Sequence, residues 1–188
     1  MIDVSLEFVV RALNQSLVTS FDLESDVVVI NNLVDPNGST PQKNQNRLVI
    51  TLVNLEYETN KRYYGGQQWE SSMVNRVNPA VFFNLDVLVS ANFDDYAESL
   101  KFLTAAIGFF QENLVISRAS SPNLPDGVAL LKFEIENTPS TKTHNLWTAL
   151  GAKYVPSIVY KIRHVAVDAR QIKGGSTMVQ DTSTAVVQ

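Results

Sequence analysis

Residues 79–113, PAVFFNLDVLVSANFDDYAESLKFLTAAIGFFQEN, decide how the chain folds. Val81, Phe83, Leu85, Val87 and Val89 occupy alternate positions. An extended strand here therefore lays five apolar side chains on one face and the mixed set Phe82, Asn84, Asp86, Leu88 and Ser90 on the other. After Ala91 the period lengthens, and Tyr96, Leu100, Leu103, Ile107 and Phe110 follow at steps of three and four, the stripe of an amphipathic helix. Asn92 or Asp94 is placed to cap that helix, with Asp95 and Glu98 near its positive end. A strand and a helix that are each apolar on one side, and joined by so few residues, pack on each other. The unit is scaffold and carries no catalytic constellation.

Towards the N-terminus, Ile2, Leu6, Val9, Val10, Leu13 and Leu17 predict an amphipathic helix over 2–18. Val27 to Ile30 reads as a short strand, and residues 35–46, DPNGSTPQKNQN, as a polar loop. Residues 47–58, RLVITLVNLEYE, are apolar on both faces and predict a central strand. The pattern then fails over 59–78, which is polar, holds Gly65 and Gly66, and yet carries Tyr63, Tyr64, Trp69 and Met73. Two readings stay open for it: an irregular insertion that contacts another protein, or a hairpin whose aromatics cover the sheet edge.

Towards the C-terminus, 117–127 is turn-rich. Val128 to Glu136 predicts a strand with Ala129, Leu131, Phe133 and Ile135 facing the core. Pro139 to Gly151 predicts a short helix stopped at the glycine, with Leu146, Trp147 and Leu150 apolar. Pro156 to Val167 predicts the last strand, with Ile158, Tyr160, Ile162, His164 and Ala166 on one face. Residues 169–188 read as a tail or an inter-subunit arm, with Met178 and Val179 able to join an edge strand.

At 188 residues, 45% hydrophobic and 18% charged, the chain is long enough to bury the core of a single domain. A net charge of −4 offers no footprint for phosphate backbones, so nucleic acid is not an expected partner. No cysteine is present, which removes disulfides, thiolate metal sites and a cysteine nucleophile, and fits a reducing compartment. The N-terminus is broken by Asp3, Glu7 and Arg11, unlike a cleavable signal, and no apolar run is long enough for a bilayer. Residues 1–30 are acidic and 132–173 basic on balance. Those opposite signs either steer head-to-tail contacts between copies or are solvated surface.

Candidate chemistry is sparse. His144 sits in a polar helix start, and His164 on a strand without a carboxylate neighbour. The pairs Glu56/Glu58 and Glu134/Glu136 share strand faces as an acid–base dyad would, but a wet strand face explains them better. No phosphate-binding glycine motif or nucleophile elbow occurs. Catalytic residues, cofactor-binding residues, metal ligands and a small-molecule substrate are therefore not expected.

HNLWTALGAKYVPSIVYKIR (144–163), FFNLDVLVSANFDDYAESLKFLTAAIGFFQ (82–111), the Met-Ile-Asp opening, VNLEYE and the prolines at 122 and 125 together resemble one family. It is the terminator, or cap, protein of extracellular contractile injection systems, which is similar to phage tail-terminator proteins. The resemblance covers about residues 1–168, and L-W-x-A-L-G-A-K-Y-x-P-S is its most specific part. It implies a non-enzymatic ring, a hexamer, at the baseplate-distal end of the particle, where it stops polymerisation of inner tube and sheath. The partners implied are further copies of the chain, the tube protein and the sheath protein. The chain would be assembled in the cytoplasm and carried in a released particle.

The expected fold is thus α+β: one compact tail-terminator-like domain over 1–168, with the irregular insertion 59–78 and the tail 169–188. Its mixed or antiparallel sheet is packed by an N-terminal helix, a long central helix and a short helix in the C-terminal half. Tyr63, Tyr64, Trp69, Met73, Met178 and Val179 are the expected interface residues, and removing 170–188 is expected to leave a folded chain that assembles poorly. A monomeric adaptor domain is the alternative function.

Overall fold

A computed structural model describes residues 1–59, 67–70, 73–77, 80–167 and 172–177; at 67–70, 73–77, 164 and 172–177 only the backbone is described. Within these residues the order is α1 (Ile2–Phe21), β1 (Val28–Ile30), a 3-10 turn at Gln42–Asn44, β2 (Arg47–Tyr57), β3 (Gln67–Glu70), β4 (Met73–Val77), β5 (Val81–Asn92), α2 (Tyr96–Glu112), β6 (Val115–Ser117), β7 (Leu130–Ile135), α3 (Ser140–Leu150), β8 (Ser157–Val167) and β9 (Ile172–Thr177). The α+β expectation holds. Six strands form a mixed sheet in the order β1-β2-β5-β8-β7-β6, parallel only between β1 and β2.

One face of this sheet carries α1 and α2. Leu6, Val9, Leu13 and Leu17 from α1 and Phe102, Ala106, Phe109 and Phe110 from α2 close over Leu48, Ile50, Leu85, Val87, Val89, Leu131, Phe133 and Ile162. The other face is covered over part of its length by α3, where Trp147 packs with Leu33, Val49, Leu88 and Val159. β5 is consequently buried on both sides from Asn84 to Ala91, as its near-continuous apolar run requires. β2 is covered on both sides only from Leu48 to Thr51, and its second half emerges into solvent.

Three local expectations are corrected. The helix α2 is capped by Asp95, whose side chain accepts from the Ala97 N–H, and it buries Ser99, Phe102, Ala106, Phe109 and Phe110. Tyr96 and Leu100 are exposed. The helix is apolar on nearly every side, so its period did not select a face. β8 carries an extra residue opposite β5 between the Phe83 and Leu85 pairings, and beyond it Val165, not Ala166, enters the core. On β7, Leu131 and Phe133 are buried, while Ala129 lies before the strand and is exposed, and Ile135 lies beyond the reach of α2 and is exposed.

Residues 59–78, read as an irregular insertion or a hairpin, contain the antiparallel pair β3 and β4, and residues 169–188, read as a tail or an arm, contain β9; the three form a second sheet in the order β3-β4-β9. Its order repeats that of the central strands. β2 leads to β3, β4 leads to β5, and β8 leads to β9, so β3-β4-β9 continues the sequence β2-β5-β8. The domain boundary expected at 168 lies outside the described residues.

Candidate assembly surfaces

The two edges of the large sheet are finished differently. In the parallel β1–β2 pair the Leu48 N–H donates to the Val27 carbonyl and the Asn31 N–H to the Ile50 carbonyl, so Val28 turns its own N–H and C=O away from β2. Asn14, a buried polar residue on α1, takes those groups. Its Nδ2 donates to the Val28 carbonyl at 2.9 Å, and its Oδ1 accepts from the N–H of Val28 at 2.8 Å and of Val27 at 2.9 Å. One amide thus stands in for the next strand at Val27 and Val28, and seals the edge there. The opposite edge is β6, three residues long, beside the longer β7.

On the sheet face opposite α1 and α2, beyond the area covered by α3, the charged residues of four strands interlock. The Lys161 ammonium on β8 lies 2.8 Å from Glu56 on β2, and 3.6 Å from both Asp86 on β5 and Glu136 at the end of β7. Arg163 pairs with Glu134 on β7 and lies 3.6 Å from Glu58, just past the end of β2. Lys132 closes on Glu134 at 2.7 Å, and Lys142 of α3 on Glu136 at 2.9 Å. Asn54 donates to Asp86, and Asn84 to Glu58.

The carboxylate pairs Glu56/Glu58 and Glu134/Glu136, read separately from the sequence, thus face each other across β5 and β8 with Lys161 and Arg163 between them. Hydrogen bonds from Lys132 and then Arg163 hold the Glu134 carboxyl below its ordinary pKa, and a hydrogen bond from Lys142 does the same for Glu136. The bond to Glu56 raises Lys161. A carboxylate held ionised by a neighbouring cation is a poor proton acceptor near neutrality, so Glu134 and Glu136 tie neighbouring strands together rather than act as an acid–base pair.

The described residues line several surface clefts. One, about 560 Å³, runs between α1 and the sealed edge and is lined by Val10, Val18, Ile30, Glu7 and Asp26. A second, about 620 Å³, lies between the 33–44 loop and the start of β8, with Trp147 in its wall. Tyr154 packs edge-on against Trp147 at 5.3 Å between ring centroids and is largely exposed. The third, about 390 Å³, lies between the C-terminal end of α2 and β7. None gathers a nucleophile, a base and an oxyanion donor. Among the described residues no group of three or more His, Asp or Glu is arranged to hold a metal ion, and no helix is long and apolar enough to cross a membrane.

Of the expected interface residues, Trp69 lies on β3 opposite Val74, and Met73 on β4 opposite Glu70 and Thr177. The structure therefore brings these two onto adjacent strands. Tyr63, Tyr64, Met178 and Val179 lie outside the described residues. His144 is exposed on α3, and His164 falls at the irregularity of β8. Sequence reasoning missed Asn14, whose only signal is a polar residue beside the apolar stripe of α1, and the groove beside β7.

A family model described as the Pvc16 N-terminal domain matches residues 6–181. No curated protein matches the chain. The chain is similar to the sheath/tube terminator, in its extended state, of PVC, an extracellular contractile injection system, with a TM-score of 0.56 and 14% identity over 95% of this chain and 63% of that one. It is also similar to the tube-terminating cap of the anti-feeding prophage, AFP, with a TM-score of 0.58 and 12% identity over 100% of this chain and 60% of that one. At such identities the likeness is one of fold, and the chain spans about three-fifths of the length of those proteins.

Proposed function

The chain belongs to the Pvc16 N-terminal domain family, and from that premise we propose that it is a structural cap of a contractile, phage-tail-like injection particle. In this reading copies of the chain close into a six-membered ring at the baseplate-distal end, contact the last ring of tube and sheath, and stop both from growing. The role is structural and not enzymatic. The observation that carries the reading is the family match over nearly the whole chain, supported by the fold it shares with two terminator proteins.

Physical features of the surface support it. A terminator needs one face that binds the polymer end and another that refuses the next subunit, which is specificity achieved partly by exclusion. A sheet with one sealed edge and one open edge has that asymmetry. Ring closure requires heterologous contacts between different patches of neighbouring copies, and unlike edges supply unlike patches. The exposed apolar residues Tyr96, Leu100, Leu114, Val115 and Ile135 are available for such contacts. The chain would be assembled in the cytoplasm and leave the cell as part of the particle.

Light scattering and negative-stain microscopy of the purified chain test the ring, and particles made without the chain test the cap. Closed rings, together with tubes and sheaths of uncontrolled length in its absence, are expected. A strictly monomeric chain that forms a one-to-one complex would instead establish an adaptor, and particles of normal, uniform length without it would overturn the reading.

A further inference from the structure

Beside β7, the open edge of the large sheet runs into an unfilled groove. The β6 pairing ends with Val115 opposite Lys132, and the Leu114 carbonyl takes the Phe133 N–H at 2.9 Å. Three residues on, the Glu136 N–H donates to the Val159 carbonyl on β8, so Ile135 turns its own N–H and C=O outward, beyond the Val115 end of β6. The 390 Å³ cleft adjoins this stretch and is lined by Phe110, Leu114, Phe133, Ile135 and Tyr160. Leu114, Val115 and Ile135 are 50%, 49% and 56% exposed.

Tyr160, in the same wall, is only 3% exposed, and its hydroxyl has no hydrogen-bond partner. A buried hydroxyl without a partner costs about 1–3 kcal/mol. An unpaired strand edge, an apolar trough and an orphaned O–H therefore meet at one place. Lys132 and Glu134 on the rim are paired with each other, so the groove presents no net charge.

We infer that this groove receives an extended segment of a second copy of the chain, residues 178–188, as an added strand beside β7. The inference rests on the ring reading above. That segment, MVQDTSTAVVQ, has a single charge, Asp181, and five β-branched residues, which suits a neutral trough beside a strand edge. Thr182, Thr184 and Val186 alternate with Ser183, Ala185 and Val187, so one set enters the trough while the main chain pairs with Ile135 and offers a carbonyl to the Tyr160 hydroxyl. Asn14 occupies the outward groups of Val28 on β1, which disfavours edge-to-edge pairing of β1 with β7 as the alternative contact. Fully extended, the segment spans up to about 40 Å, enough to cross to a neighbour.

The cysteine-free sequence makes the test direct. Full-length Ile135→Cys and Val186→Cys chains are mixed and oxidised, and the disulfide between copies is followed on non-reducing gels. It should form about a hundredfold faster than between Val186→Cys and Tyr154→Cys at about 10 μM, because docked segments meet at roughly millimolar effective concentration. Tyr160→Phe, which removes the orphaned hydroxyl without opening a cavity, should leave the free chain at least as stable as before and weaken segment docking about two- to tenfold. Equal or absent cross-linking at Ile135, with rings still present by light scattering, overturns the inference and leaves the ring intact. A disulfide formed only within one chain, in the variant carrying both cysteines, assigns the groove to the chain's own segment and overturns the second copy as occupant. A chain monomeric at every concentration overturns the ring reading together with this one.

Discussion

Replacing Lys161 by methionine tests whether the charged lattice holds the four central strands in register. The side chain is 13% exposed, and its ammonium serves Glu56, Asp86 and Glu136 at once. Glu56 and Glu136 keep access to water, but the Asp86 side chain is 11% exposed and its Oδ1 has no hydrogen bond, only the ammonium 3.6 Å away. Loss of an exposed pair costs at most about 1 kcal/mol, and loss of one partner of a buried pair about 3–5 kcal/mol. The 3.6 Å separation and the bond from Asn54 to the other Asp86 oxygen place this case between them, at about 2 kcal/mol. Urea unfolding at neutral pH should show that loss with an unchanged m-value, and the midpoint of thermal unfolding should fall by about 4–8 °C. Adding Asp86→Leu should restore at least about 1 kcal/mol, since two apolar side chains then face each other across β5 and β8. A Lys161→Met chain within about 0.5 kcal/mol of the parent, or a double variant less stable than the single, would refute the reasoning.

Other outcomes follow from the same coordinates. Glu134 and Glu136 have lowered pKa values in the folded chain, so their contribution is present above the unfolded value of about 4.5 and is lost as pH falls through the lower folded values; an acid titration of the urea midpoint should show the loss below that point and should flatten in Glu134→Gln/Glu136→Gln. Asn14→Ala strands the outward groups of Val27 and Val28 and should cost about 2–4 kcal/mol in thermal or urea unfolding. Trp147→Ala should cost about 3–5 kcal/mol, because the indole fills the second core, whereas Trp147→Phe should cost far less, because the indole N–H is unpartnered; calorimetry separates the two. Removing 178–188 keeps β9 and should leave the midpoint of thermal unfolding unchanged while weakening assembly, measured by light scattering. Removal from 170 onward also deletes a strand of the small sheet.

The parts legible in the sequence were those where burial is one-sided or complete. The stripe of α1, the alternation of β5 and the glycine stop of α3 each have a single solution, and Gly151 at φ 65° shows why that stop takes a residue without a β-carbon. On α2, Tyr96, Leu100, Leu103 and Ile107 form as good a stripe as Ser99, Phe102, Ala106 and Phe109, and only the shape of the sheet, through Phe93 stacked on Phe102 and Phe110 tilted against Tyr160, selects the second. The charged lattice was hidden for a related reason. Each carboxylate pair is an ordinary wet strand face on its own, and it becomes a lattice only when register sets Asp86 opposite Lys161. Asn14 is a residue whose purpose depends on a strand that follows it by a turn and a loop. The groove beside β7 reflects where a helix stops short, which no local pattern records.

The small sheet has a consequence for folding order. Its β4–β9 ladder joins Met73 to Thr177, across nearly everything that lies between them in the chain, so on its own it would carry a large loop-closure cost. Once β5 and β8 have paired from Ser90 to Val81, the ends that lead into β4 and β9 are already side by side, and the remaining closure is that of a short hairpin. Formation should therefore run outward from the core, with β3, β4 and β9 ordering last and exchanging their amide hydrogens first. A domain built in this way can hold its core fixed while its outermost strands open and close, a separation of timescales that would suit the assembly proposed above.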